Sequence, residues 1–189
     1  MERVEEIRFW FWANDATRRD GHVWFVPDAA FDEACTAGFL ADHERAAAGT
    51  LDDWQAAPRS VLALILLLDQ FPRNMFRGTA RAFATDFKAL SVAKHAVARR
   101  SDGALATIER VFAYLPFEHS ENLDEQHEGV RLFRQLADQD SSVSGYLEYV
   151  EGHLETIRRF GRFPHRNAIL GRASTPAEAE FLRGSGLLS

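Results

Sequence analysis

Hydrophobic residues recur at helical spacing along most of the chain. Two of the clearest stripes, with intervals of three, four or seven residues, are Phe83, Phe87, Leu90 and Val97, and Leu147, Val150, Leu154 and Ile157. No segment combines strand-like alternation with a hairpin turn signal. The pattern predicts an all-α fold of about eight helices, joined by short connections and packed as antiparallel αα-hairpins.

Proline, glycine and capping residues set the predicted helix ends. The clearest start is Thr175-Pro176-Ala177-Glu178, a capping box with proline at the first helical position. Pro58 suits the first turn of a helix whose Val61–Leu68 run is apolar on every side, which predicts the central buried helix. Pro72 is expected to end that helix near Gln70. The other predicted segments are helices over 4–12, 28–48, 79–100, 104–114 (ending before Pro116), 123–137, 144–160 and 176–184, and a loop containing Trp24 and Phe25.

Composition and charge narrow the class of protein. The 189 residues, 46% hydrophobic and 26% charged, predict one globular domain over 1–189. A net charge of -6 would repel phosphate backbones and anionic lipids, so neither nucleic acid nor a membrane is an expected partner. Cys35 is the only cysteine, no signal peptide is legible, and no apolar run approaches the roughly 20 residues of a membrane span. These features predict a cytoplasmic protein.

Two segments concentrate arginine and contain no acid. Residues 156–177 hold Arg158, Arg159, Arg162, Arg166 and Arg172, and residues 71–85 hold Arg73, Arg77 and Arg81. Guanidinium groups bind carboxylates and phosphates through paired hydrogen bonds, so such loops could bind an anion. The alternative is that these arginines pair with acids of neighbouring helices, and the sequence leaves both readings open.

Two further positions carry candidate chemistry. Asp69 closes the most apolar helix, where both burial and the helix dipole disfavour a lone carboxylate, so we expect it to be buried and paired with Arg73 or an arginine of the second segment. Glu118-His119-Ser120-Glu121 lies in a predicted loop, where it could perform acid/base work. Its other reading is structural, with Ser120 or Asn122 capping the next helix.

Metal and cofactor signatures are missing from the sequence. The seven histidines form no i, i+4 pair and no HExxH run. Neither a glycine-rich phosphate loop nor a GxSxG turn is present. The sequence therefore predicts neither a metal nor a cofactor.

Several longer motifs resemble a bacterial family known as domain of unknown function 924. They lie at 66–79 (LLLDQFPRNMFRGT), 82–86, 114–121, 159–172 and 174–176, in collinear order over nearly the whole chain. The resemblance implies an all-helical fold similar to tetratricopeptide arrays, although the tetratricopeptide consensus is not legible. It implies no activity, because the family brings no established substrate, cofactor or catalytic residue.

The family motifs coincide with the polar positions singled out above, and together they form the predicted ligand-binding set. Its members are Asp69, Arg73, Asn74, Glu118, His119, Ser120, Glu121, Arg162, His165, Arg166 and Asn167. Two of the loops carry a Phe-Pro pair, at 71–74 and at 163–167, and we call them the first and second Phe-Pro loops. The leading hypothesis is a helical binding module, in which these two loops and the 118–121 loop converge on a groove for a small anionic ligand or an acidic peptide.

Two other hypotheses explain the same residues. The first is a metal-independent acid/base enzyme, with His119 or His165 as the base and Glu118 or Asp69 as its partner acid. The second is a structural or interaction protein, in which these side chains only hold loops in place.

Overall fold

The computed structural model describes residues 1–13 and 28–185, and these residues are helical without any strand. The all-α prediction is confirmed. The predicted loop with Trp24 and Phe25 lies outside the described residues. The α-helices are α1 (Glu2–Ala13), α2 (Ala29–Ala47), α3 (Pro58–Leu68), α4 (Gln70–Met75), α5 (Asp86–Ala98), α6 (Thr107–Glu118), α7 (Leu123–Gln139), α8 (Ser144–Phe160) and α9 (Pro176–Ser185).

Several helix ends follow from local hydrogen bonds. At the start of α7, the Asn122 side chain accepts from the backbone N–H groups of Asp124 and Glu125. The predicted capping box of α9 is present, because Thr175 N–H donates to Glu178 and Glu178 N–H donates back to the Thr175 hydroxyl. Gly161 ends α8 with a φ of 69°, in the left-handed region that glycine enters without strain.

One proline-based prediction was confirmed and one was wrong. The buried helix α3 ends at Leu68, close to the predicted end near Gln70, and a new short helix starts at Gln70 and places Pro72 in its first turn, where the missing N–H is tolerated. Pro116 does not stop α6, which continues to Glu118. All residues from Val111 to Glu118 are buried, and this packing offsets the hydrogen bond that the proline removes.

The predicted hydrophobic stripe of the helix over 79–100 was also wrong in part. A 3₁₀ turn covers Ala80–Phe83 and α5 begins only at Asp86, so Phe83 is not in register with α5. Phe87 remains 77% exposed rather than facing the core. The break before α5 removes Phe83 from the predicted stripe, and α5 itself buries Ala89, Val92, Ala93 and Ala96 rather than the predicted residues.

The chain divides into two compact units, described here one at a time. The first comprises residues 1–77 and 81–116, and α3 is its central helix, packed against α1, α2, α4 and α5. Every side chain from Val61 to Leu68 is buried, as predicted. The single-domain organisation and the tetratricopeptide-like arrangement stay predictions.

The second unit comprises residues 78–80 and 117–189 and is built on the pairing of α7 with α8. Val130, Phe133 and Leu136 of α7 are buried, as are Val150, Leu154 and Ile157 of α8. Both helices therefore bury one apolar face, and each has an opposite face that is polar.

Candidate functional site

The last turn of α6 is held in place by one side chain of α7. Gln126 is fully buried, and its Nε2 donates to the backbone carbonyls of Phe117, Glu118 and Ser120. Three residues along α7, a Cβ added at Gly129 would lie 3.2 Å from Cβ of Phe117. The amide of Gln126 and the missing side chain of Gly129 therefore fix where Glu118 lies.

Glu118 and His153 form a buried contact between α6 and α8. Glu118 is 1% exposed, and its Oε1 lies 2.8 Å from Nδ1 of His153. Both atoms are buried and close, although their angles fall outside hydrogen-bond geometry. The His153 side chain keeps 21% of its surface exposed, so part of it reaches solvent. Among the described residues no group donates a hydrogen bond to Glu118 Oε2.

A row of rings surrounds His153. Its ring centroid lies 4.7 Å from that of Tyr149 and 5.0 Å from that of Phe163, and Phe163 in turn lies 5.5 Å from His165. Burial, with the positive charge of Arg166, lowers the pKa of His165 to about 4. His165 is therefore neutral at physiological pH.

Glu121 ties the 118–121 loop to the second Phe-Pro loop. It accepts two hydrogen bonds from the Arg172 guanidinium, at 2.7 and 2.9 Å, and a third from the Phe163 N–H at 2.8 Å. Burial alone would raise the pKa of Glu121, but these hydrogen bonds outweigh it and hold the pKa below its ordinary value. Glu121 thus joins these two loops, whereas the predicted convergence of all three loops on one groove stays a prediction.

The remaining polar residues of the second Phe-Pro loop are also engaged. Arg162 forms two hydrogen bonds with Glu178, at 2.6 and 2.9 Å. Buried Asn167 donates to the Ser174 hydroxyl. Arg166 is 6% exposed, lies with its guanidinium carbon 4.5 Å from the centre of the Phe163 ring, and donates to the His119 carbonyl. The arginines of this loop thus contact the protein itself.

Asp69, Arg73 and Asn74 belong to the first unit. Asp69 is fully buried and accepts from Gln70 Nε2 at 2.6 Å, while Arg73 Nη1 lies 3.3 Å from its Oδ1. Arg73 also forms a two-pronged pair with Asp86, at 2.9 and 3.0 Å, and Asn74 donates to Asp32. The expectation that Asp69 is buried and paired with Arg73 is confirmed. A shared site between these three residues and the loops of the second unit stays a prediction.

The structure adds residues that sequence reasoning missed. His153 and Tyr149 were not candidates, although they lie four residues apart on α8 and therefore on one face of that helix. Gln126 was missed as well. The carbonyls it binds lie six to nine residues earlier in the chain, and only the turn between α6 and α7 brings them within reach. Ser120 accepts from the Asn122 N–H, but the cap of α7 is Asn122.

Two further features concern the described residues only. No group of three or more His, Cys, Asp and Glu side chains in residues 1–13 and 28–185 is placed to hold a metal ion. Across the same ranges, no helix has both the length and the apolar character of a membrane span.

Fold and site together define an all-helical protein in which a buried glutamate contacts a partly exposed histidine. The chain belongs to the family described as bacterial protein of unknown function (DUF924), whose model matches residues 7–186. It is also similar to a solved structure of a protein of unknown function from Agrobacterium tumefaciens, with 42% identity and a TM-score of 0.86 over 97% of this chain and 98% of that chain. A comparison with curated proteins found no match.

Proposed function

We propose that the chain is a general acid/base catalyst, in which His153 is the base and Glu118 is its positioning residue. The observation that carries this proposal is the buried carboxylate of Glu118, 2.8 Å from Nδ1 of a histidine that is itself partly exposed. A carboxylate behind an imidazole fixes its tautomer and stabilises the imidazolium that forms when it takes a proton.

In this arrangement the proton of His153 lies on Nδ1, toward Glu118, and Nε2 is free to accept a proton from a substrate or from water. Full alignment of the Glu118–His153 contact is not required beforehand, because catalytic hydrogen bonds often tighten only in the complex with substrate. Gln126 and Gly129 support the pair by holding the end of α6 against α7.

This assignment changes the base expected from the sequence. His165 was a candidate base, but with a pKa of about 4 it accepts protons too weakly for efficient catalysis near neutral pH. The His119 carbonyl accepts a hydrogen bond from Arg166, so His119 helps to stabilise the loop. Glu118 keeps the role of partner acid that the enzyme hypothesis gave it.

The test uses p-nitrophenyl acetate, a generic substrate for an activated imidazole. Nε2 of His153 takes a proton from water as its oxygen attacks the acyl carbon. The bond to the p-nitrophenolate oxygen then breaks, His153 returns its proton to that oxygen, and the acetic acid formed loses its proton to solvent, so that p-nitrophenol and acetate leave without any oxidation or reduction. We expect His153→Ala to lower kcat/KM by roughly 100-fold, and Glu118→Gln by roughly 10-fold or more, the usual range for losing a general base or its orienting group.

The matched control is His127→Ala, because His127 is an exposed histidine on the neighbouring helix α7. Its kcat/KM should stay within about twofold of wild type, since surface substitutions seldom alter a distant site. Added imidazole should restore part of the rate in His153→Ala beyond the rate that the same imidazole gives without protein, which separates lost chemistry from lost folding. A His153→Ala variant as active as His127→Ala would refute the proposal.

A second candidate is the binding module for a small anion or acidic peptide. The buried positive charge of Arg166, in the acid-free segment 156–177, favours this binding function. Its guanidinium contacts the His119 carbonyl and the Phe163 ring. The ion pairs of Arg162 with Glu178 and of Arg172 with Glu121 weigh against it, because those guanidinium groups already bind carboxylates. This balance makes it the weaker candidate.

A further inference from the structure

Tyr149 lies beside the proposed base and faces solvent. It precedes His153 by one helical turn on α8, and the two rings are 4.7 Å apart and tilted by 47°. Phe163, whose ring also contacts His153, is 1% exposed, whereas Tyr149 is 56% exposed. His153 therefore has one aromatic neighbour in the core and one at the surface.

The charged groups Glu118 and Arg166, near His153 and His165, are both buried. His165 is neutral, and its imidazole can both donate and accept. Partial burial and the charge of Glu118 raise the pKa of Tyr149, so its hydroxyl keeps its proton at neutral pH. A ligand at the exposed part of His153 thus meets the ring and the neutral hydroxyl of Tyr149, while the carboxylate of Glu118 is buried.

We propose that the substrate of His153 carries a planar aromatic or heteroaromatic ring next to its reacting group, and that this ring stacks on Tyr149. The inference rests on the proposed function, since it names the substrate class of the same site. Aromatic side chains favour offset or edge-on partners at ring separations of 4.5–7 Å, and stacking adds to the free energy of apolar burial. An exposed tyrosine one helical turn from a base supplies such a surface for a flat substrate.

The experiment compares two activated acetate esters, p-nitrophenyl acetate and trifluoroethyl acetate, which differ in having an aromatic leaving group. For Tyr149→Ala we expect KM for the aromatic ester to rise about tenfold with kcat unchanged, the size expected when a stacking partner is lost. The kcat/KM for trifluoroethyl acetate should change by less than about twofold, since that ester has no ring to stack.

Tyr149→Phe is the matched control, because it keeps the ring and removes only the hydroxyl. It should retain the wild-type KM for the aromatic ester. If both esters are turned over in a His153-dependent way but Tyr149→Ala affects them equally, or affects neither, the substrate inference is wrong and the proposed function stands. If neither ester shows His153-dependent turnover, the proposed function itself fails.

Discussion

Asp69 carries a carboxylate with no solvent exposure at the junction of α3 and α4. One oxygen accepts from Gln70 Nε2 and the other lies 3.3 Å from Arg73 Nη1. Arg73 also donates to the Asp69 carbonyl, so the side chain and backbone of one residue anchor the same guanidinium. These contacts offset the cost of burying the charge and fix the turn between the two helices.

We expect Asp69→Ala to lower the free energy of unfolding by about 3 kcal/mol, because Gln70 would lose its buried acceptor and Arg73 one of its carboxylates. Urea denaturation measures the change. Asp53→Ala, at an exposed position of the first unit, is the control and should shift stability by less than about 0.5 kcal/mol. Equal effects of the two substitutions would mean that the buried pairing contributes nothing to stability.

Single residues differ in how well the sequence predicts their role. Asp69 was predictable because its neighbours in the chain already specify burial, and a buried charge demands a partner. His153 was not, because its surroundings are set by Glu118, on α6, and by Phe163, after α8. The residues that flank His153 in the sequence therefore do not indicate that a buried carboxylate lies beside it.

At the scale of elements, the approach of α6 to α7 depends on glycine. A side chain at Gly129 would meet Cβ of Phe117 at 3.2 Å and the Glu118 backbone nitrogen at 3.6 Å. Gly152, within α8, has nothing within 4 Å of the same added atom. The two glycines share helical conformation and differ in the space around them.

Alanine at these two positions separates helix propensity from packing. Gly152→Ala should raise the free energy of unfolding by about 0.5–1 kcal/mol, because alanine is the better helix former. Gly129→Ala gains the same propensity but forces the end of α6 outward, and overpacking typically costs 1–3 kcal/mol, so we expect a net loss of about 1 kcal/mol. Thermal or urea unfolding of both variants decides this. If Gly129→Ala were stabilised as much as Gly152→Ala, the end of α6 would be able to move away from α7 at no cost in free energy.

Helix boundaries were predictable where capping groups set them and not where burial did. The starts of α7 and α9 follow side chains within four residues, so the sequence is sufficient. The continuation of α6 through Pro116 depends on the burial of its last turn by other elements, which no local pattern reveals.

At the scale of the whole molecule, arginines that are clustered apart from acids in the sequence form ion pairs with acids in the structure. The chain has 28 acids and 22 lysines and arginines, and the arginine-rich segments look like anion sites when read alone. In the structure Arg73 pairs with Asp86, Arg77 with Asp32, Arg162 with Glu178 and Arg172 with Glu121, each partner coming from outside the acid-free segment. The all-helical class follows from periodicity, whereas these partners follow only from tertiary structure.

This pairing leads to a prediction for wild type and two variants. The Tm is measured in phosphate and in chloride at equal ionic strength. We expect the rise in Tm on going to phosphate to be no larger for the wild-type protein than for Arg73→Ala or Arg166→Ala, because general salt effects do not need a specific site. In buffer without phosphate, each variant should lose about 2–4 kcal/mol of stability, since each arginine is mostly buried and has partners within its own unit. The exposed residues Arg99 and Arg183 supply controls, and their replacement by alanine should change stability by less than about 0.5 kcal/mol. A phosphate-dependent rise in Tm that is present in wild type and both controls, and missing in Arg166→Ala, would instead favour the binding module, because mass action stabilises a folded protein only through a site that binds the ligand.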